Sequence, residues 1–172
     1  PLMQAEGLSS LFPMDELSVM GIAEVLPKYR HLKRRIREAA AAALAAGPAA
    51  LITIDSPDFC LRVAAIVKAA RPDLRTIHYV APSVWAWRPG RARKMRPYVD
   101  HVLALLPFEP EAHRRLGGPP CTYVGHPLAE RREWIEARDG AALRSRLGLP
   151  PDRPVLVVLP GSRPSEVGRL MQ

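Results

Sequence analysis

Cysteine is scarce. Cys60 and Cys121 are the only two in 172 residues, and they lie far apart without metal-ligand spacing. That argues against a zinc site or a disulfide framework and suits a reducing cytosol. Aromatic residues make up only 6% of the chain, so each tryptophan in a cluster draws attention. No apolar run approaches the roughly 18–20 residues of a membrane-crossing helix. The opening "PLMQAEGL" has neither the basic region nor the apolar core of a secretory signal. Negative charge is also in deficit: 17 Asp and Glu face 25 Lys and Arg, a formal net charge of +8. The length allows one full core, or one domain and the start of another.

Much of the positive excess sits in two places. One is Lys28, Arg30, Lys33, Arg34, Arg35 and Arg37; the other is Arg88, Arg91, Arg93, Lys94 and Arg96. Clustered cations point to a polyanionic partner: a phosphorylated ligand, an anionic membrane or nucleic acid.

Apolar runs alternate with helical patterns. "AALITID" (49–55) reads as a buried strand entered through the Gly47-Pro48 break. A helix follows, with Ser56 as its N-cap, Pro57 in its first turn and Pro72 beyond its end. "RTIHYVAP" (75–82) is the next strand, and a basic helix is expected over about 84–96. Then come the strand "HVLALLPF" (101–108), the short helix "EPEAHRRLG" and the strand "CTYVGHP" (121–127). This rhythm, with strands apolar on both faces, predicts an α/β fold: a Rossmann-like parallel sheet with flanking helices.

Three segments follow from the pattern: 1–127 as one Rossmann-like domain, 128–153 as a charged linker with a short helix near 139–147, and 154–172 as the start of another domain. "VLVVL" (155–159) is expected as a buried strand opening that last segment. Both ends read as cut, so a fragment of a longer chain is expected.

Ligands of such sheets bind beyond the carboxyl ends of the strands. "IDSPDF" puts Asp55 at a strand tip, where a carboxylate can take a proton from a hydroxyl if burial lifts its pKa. The plain alternative is that Asp55 or Asp58 caps the next helix. "APSVWAWR" offers Ser83, Trp85, Trp87, Arg88 and Arg91 as apolar walls beside positive charge, against the plain reading of core aromatics and a solvated helix face. "GHPL" places His126 at the last strand's end. In "LPGSRPSE", Gly161, Ser162 and Arg163 can offer N–H groups, a hydroxyl and a guanidinium to a phosphate, or be an ordinary turn.

The stretch 19–46 breaks at Pro27 in this reading. Val19, Met20, Ile22, Val25 and Leu26 make a short apolar turn. A longer helix then carries a stripe of Tyr29, Leu32, Ile36, Ala40 and Ala43, flanked by Arg30, Arg34 and Arg37 on one side and Lys28 and Arg35 on the other, with Lys33 nearby. Basic flanks along an apolar stripe suit a helix lying on an anionic membrane. The commoner use of such a stripe is packing against a sheet.

Taken together, "MQAEG", "MDELSVMGIAEVL", "IDSPDF", "TIHYVAPSVWAWRPGR", "LLPFEPE", "YVGHPL" and "LPGSRPSEV" resemble the lipid-A-disaccharide synthase family over nearly the whole chain. The resemblance implies a two-domain GT-B glycosyltransferase with no metal or other cofactor. This chain would supply most of the acceptor-side half and the first strand of the donor-side half, without the family's first strand and its "GEASGD"-type loop. The implied reaction joins UDP-2,3-diacylglucosamine to 2,3-diacylglucosamine 1-phosphate (lipid X), forming a β-1,6 disaccharide and UDP. Asp55 matches the proposed catalytic base and Arg163 an arginine on the nucleotide side. The stretch 19–37 matches the region that sits peripherally on the cytoplasmic face of the inner membrane. A fragment of this extent is expected to be inactive alone. Two other readings compete: another GT-B sugar-nucleotide enzyme, such as a UDP-N-acetylglucosamine epimerase, and a basic nucleic-acid-binding module. The first leaves the membrane-like helix unexplained. The second lacks aromatic-and-basic strand patterns, so no nucleic acid is expected.

Overall fold

The structure is a computed structural model that describes residues 5–17, 22–161, 167, 168, 170 and 171. The chain divides into two compact units, Pro1–His126 and Pro127–Gln172.

The first unit begins with a short 3-10 turn, Met14–Leu17, and a helix α1, Ile22–Ala45. Four parallel strands and three helices then alternate: β1 (Ala50–Ile54), α2 (Pro57–Ala70), β2 (Arg75–Tyr79), α3 (Gly90–Met95), β3 (His101–Ala104), α4 (Glu109–Arg115) and β4 (Cys121–Tyr123). Spatial order equals chain order, β1-β2-β3-β4. The register pairs Thr53 with His78, His78 with Val102 and Val102 with Cys121. That row, with Thr76 and Ala104, forms the buried face of the sheet. The opposite face carries Ile52 and Ile54, both more than half exposed. The sequence reads both faces as apolar, but at β1 the second face lies open among the described residues, while Ile77, Tyr79 and Leu103 on it are half-buried.

The core has two parts. Leu61, Ala81, Met95, Val99, Val102 and Ala104 pack together, with Tyr98 and Cys121 against them. Ile36 and Ala40 of α1 pack with Val63 and Val67 of α2 and with Leu74. At roughly 1.5–3 kcal/mol for each fully buried large side chain, α1 is thus held to α2 by apolar burial. At the amino end of the sheet, Lys68 donates to the Asp100 carboxylate at 2.8 Å and to the Leu74 carbonyl at 2.8 Å. Asp100 also accepts the Thr76 N–H at 2.7 Å, tying α2, β2 and β3 together.

Several expectations are corrected. The helix does not break at Pro27: α1 runs through it from Ile22. Proline there removes one N–H donor near the helix start, where the loss is a single bond and the helix beyond it is long. The basic helix over 84–96 shrinks to Gly90–Met95, because 84–87 form a turn in which the Ala86 and Trp87 N–H groups donate to the Ser83 carbonyl. Ser56 does occupy the N-cap of α2, but its φ of 41° is left-handed and its side chain makes no capping bond. Neither Asp55 nor Asp58 caps α2 either; Asp58 serves another purpose described below.

The interfacial stripe also divides. Ile36 and Ala40 are buried against α2 and Ala43 packs at their edge, so this half of the stripe belongs to the core. Arg35 leaves the basic flank as well, since it donates to Glu16 at 2.6 Å and Glu38 at 2.7 Å and lies over the Phe12 ring. The Arg35 hydrogen bond, with help from His31, holds the Glu16 carboxyl down to about 2. Tyr29, Arg30, Lys33 and Arg34 remain exposed, and Leu32 is half-buried. Val19 and Met20 lie outside the described residues, as do the side chains of Ile22, Val25 and Leu26.

The second unit, taken by itself, holds a 3-10 turn (Pro127–Arg131) and two short helices, α5 (Arg132–Glu136) and α6 (Gly140–Arg146). Asp139 caps α6, accepting the Ala141 and Ala142 N–H groups at 2.8 and 3.1 Å. The buried strand expected over 155–159 is not formed. Val155 to Leu159 have no strand assignment, and Leu156 and Leu159 are 89% and 86% exposed. A strand needs a neighbouring strand for its N–H and C=O groups, and among the described residues this run has none.

Two buried histidines give the first unit a pH signature. His78 and His113 are fully buried, and His78 Nε2 and both His113 ring nitrogens find no hydrogen-bond partner among the described residues. Burial pushes the His78 pKa down to about 4; nearby Asp55 opposes this, while His113 and Arg91 reinforce it. Burial lowers His113 in the same direction. Both are neutral when folded, whereas an unfolded histidine binds a proton near pH 6.5. The unfolded chain therefore takes up more protons, so stability rises with pH through this window. Thermal melts should show a Tm that is level above about pH 7 and falls steadily from about pH 6.5 towards pH 4. Glu16 contributes its own acid loss only below its unfolded value, so the window down to about pH 5 reads the histidines. A flat Tm between pH 7 and 5 would contradict their neutral burial.

Candidate functional site

Strain marks the carboxyl edge of the sheet. Among the described residues, the non-glycine residues with positive φ are Asp55 (52°), Ser56 (41°), Val80 (73°) and Arg88 (54°). All four lie in the loops leaving β1 and β2. Such conformations cost about 1–3 kcal/mol each, and for a β-branched valine the position is a genuine outlier. They are held by continuing the parallel ladder one step beyond the strands: Asp55 N–H donates to Tyr79 O at 2.9 Å and Val80 N–H to Leu103 O at 3.0 Å. Strain of this kind collects at functional sites.

Asp55 thus stands at the tip of β1, fixed by its backbone. Its side chain is exposed, so the condition of burial attached to its role as base is not met by this chain's described residues. Among the described residues no basic group pairs with its carboxylate, which leaves its acceptor oxygens available to a ligand.

The loop after β2 presents the tryptophans. Trp85 is 48% and Trp87 65% exposed, so neither seals the core, and Ser83 is exposed beside them. Trp85 is nevertheless fixed: its indole N–H donates to buried Glu109 at 3.4 Å, and its ring meets Phe108 edge to face at 5.1 Å. Glu109 also accepts the Leu106 N–H at 3.0 Å, so one carboxylate braces the loops after β2 and β3 together. The Arg88 guanidinium lies over the Trp87 ring at 4.5 Å from its centre. Arg88 also donates to Asp58 at 3.1 Å, and Arg91 donates to the same oxygen. Asp58 therefore ties the first turn of α2 to the basic loop.

Between α2 and α3 lies a cleft of about 500 Å³ lined by Asp58, Leu61, Arg62, Arg88, Arg91, Lys94 and Tyr98 among others. Its lining is strongly cationic. The structure brings Arg88 and Arg91 into one cluster and keeps Trp85 and Trp87 on the adjoining loop. His126 is exposed just beyond β4, at the same strand edge. Gly161 belongs to the second unit, with a φ of 107° that only glycine adopts readily. Ser162 and Arg163 lie outside the described residues. Sequence reasoning missed Glu109, Arg62 and the bracing role of Asp58, and it named Lys94 only as a member of the basic cluster. The signal for Arg62 and Asp58 was their spacing of four on one helix, which puts both on the same face.

A parallel α/β sheet whose strained, polar and basic loops gather at the strand carboxyl ends defines a Rossmann-like ligand-binding half-domain. The family profile described as "Lipid-A-disaccharide synthetase" matches residues 1–172. The chain belongs to the lipid-A-disaccharide synthetase family. Among curated relatives, the lipid-A-disaccharide synthase of Ruegeria pomeroyi is 64% identical over 170 residues, covering 99% of this chain and 41% of that protein. That of Nitrobacter hamburgensis is 60% identical over 169 residues, covering 98% of this chain and 42% of the relative. That of Rhodospirillum centenum is 50% identical over 171 residues, covering 99% and 42%. The chain thus spans about two fifths of the length of these relatives.

Proposed function

We propose that this chain is the acceptor-side part of a lipid-A-disaccharide synthase, with residues from 154 onward opening the nucleotide-sugar side. The observation that carries this reading is the family match along the whole chain. It leaves the epimerase and nucleic-acid readings without support. The proposed reaction transfers 2,3-diacylglucosamine from UDP to the 6-hydroxyl of lipid X. Asp55 accepts the hydroxyl proton as the oxygen forms its bond to the anomeric carbon of the donor. The bond from that carbon to the UDP oxygen breaks, and UDP leaves with the electron pair. An inverted, β-linked disaccharide results. An exposed carboxylate at a strained strand tip suits the base, since it can reach a bound hydroxyl without first breaking an ion pair. Trp85 and Trp87 offer apolar surface to acyl chains, Arg88 and Arg91 offer charge, and Ser83 and His126 polar contacts at the same edge. Gly161, Ser162 and Arg163 are assigned to the UDP diphosphate, where a guanidinium can make paired bonds.

The membrane role is assigned to the exposed residues of α1 between Tyr29 and Arg34. No helix among the described residues is long and apolar enough to cross a membrane. Tyr29, Leu32, Arg30, Lys33 and Arg34, with Val19, Met20, Ile22, Val25 and Leu26 before them, form the proposed contact with the anionic cytoplasmic face of the inner membrane. This placement fits substrates whose acyl chains keep them in that leaflet.

The test is a hybrid in which these 172 residues replace the matching stretch of the Ruegeria pomeroyi protein. Given the donor and lipid X, the hybrid should form the disaccharide and release UDP. A folded hybrid that forms none would contradict the assignment.

A further inference from the structure

We propose that the cleft between α2 and α3 binds the sugar-phosphate end of the acceptor, with Arg62 and Lys94 completing a phosphate site begun by Arg88 and Arg91. Four cationic side chains line a space of about 500 Å³ and face one carboxylate, Asp58. Asp58 is already committed, accepting from both Arg88 and Arg91. Arg62 sits four residues after Asp58 on α2, the spacing at which the two would pair along a helix. Asp58 turns to the basic loop instead, and among the described residues neither Arg62 nor Lys94 has an ion-pair partner. Lys94 lies three residues after Arg91 on α3, so the two helices present their cations to the same space.

A cluster of this kind repels itself, and a doubly charged anion relieves that repulsion. Guanidinium groups suit phosphate oxygens in pairs, and an ammonium adds a point charge. Tyr98 supplies the one phenol of the lining. Burial raises its pKa against the opposing pull of Arg91 and Arg62, so the hydroxyl stays protonated and can donate. The volume suits a phosphate and part of a sugar ring. Asp55 lies just ahead of α2, whose first turn opens this cleft, so a sugar anchored here by its phosphate can direct its far hydroxyl to the β1 tip. This last step rests on the proposed function; the phosphate site itself does not.

The experiment uses the hybrid protein and two soluble probes, glucosamine 1-phosphate and glucosamine, with binding followed by calorimetry or by NMR shifts. Arg62→Gln and Lys94→Gln are exposed changes that should leave the melting temperature unaltered. Each should weaken glucosamine 1-phosphate binding about fivefold to tenfold, and the pair more, as expected for loss of one net hydrogen bond at a solvent-exposed site. Weak glucosamine binding and UDP binding should not change. In turnover assays the KM for lipid X should rise with kcat and the donor KM nearly level. Unchanged glucosamine 1-phosphate binding in the double variant would overturn the site. Weakened binding with an unchanged lipid X KM would overturn its assignment to the acceptor. If the hybrid proves inactive while the variants still lose the phosphate probe, the site stands and the transferase reading is what fails.

Discussion

Asp55→Asn in the hybrid protein is expected to lower turnover by at least about a hundredfold, the usual cost of losing a general base. Asparagine keeps the size and hydrogen-bonding shape of aspartate but cannot take the proton. It also tolerates the left-handed conformation that Asp55 adopts, with φ of 52°. Alanine would add backbone strain to the lost chemistry and blur the reading. Because the side chain is exposed and the fixed contact is made by its backbone N–H to Tyr79 O, the Asn variant should melt near the parent temperature. KM values for both substrates should change little. Turnover close to the parent's would remove Asp55 from the mechanism.

The second large effect divides α1. Ile36→Ala should destabilise the first unit by about 2–5 kcal/mol, since the side chain is 7% exposed and packs with Ala40, Val63, Val67 and Leu74. One and two turns earlier, Leu32→Ser together with Tyr29→Ser should shift the denaturant midpoint far less, because Tyr29 is exposed and Leu32 only half-buried. The same pair should sharply reduce binding to vesicles containing anionic lipid. Each nearby Lys or Arg contributes on the order of 1 kcal/mol towards such a surface, so binding should weaken in high salt while an apolar remainder persists. Unaltered vesicle binding in the Tyr29 and Leu32 variant would sink the interfacial role. A fully stable Ile36→Ala protein would contradict the packing of α1 on α2.

The alternation of strand and helix was legible because each buried strand carries its own apolar run between turn signals. The tip position of Asp55 followed directly, since it ends such a run ahead of Ser-Pro. Less legible were features set by tertiary contact. Helix α1 passes through Pro27 because the helix beyond it is anchored by Ile36 and Ala40. The stripe suited lipid or, more commonly, protein packing, and the neighbouring Val63 and Val67 are what commit Ile36 and Ala40 to protein. The basic run from Arg88 to Arg96 has helix-like charge spacing, yet the Pro82 and Pro89 boundaries and the Ser83 carbonyl turn 84–89 ahead of it into a loop. The run 155–159 has the composition of a strand, but composition cannot supply a partner. Glu109 and Asp58 escaped notice as braces because each joins loops that are adjacent only after β1, β2 and β3 have paired.

The most direct measurement is disaccharide formation by the hybrid protein, followed as UDP released and as β-1,6 product identified by mass and NMR. With UDP-2,3-diacylglucosamine and lipid X both present, UDP should appear in equal amount to disaccharide, and neither substrate alone should yield product. If the hybrid folds, as judged by its melt and its binding of UDP, yet transfers no sugar to lipid X, this chain is not the acceptor half of a lipid-A-disaccharide synthase.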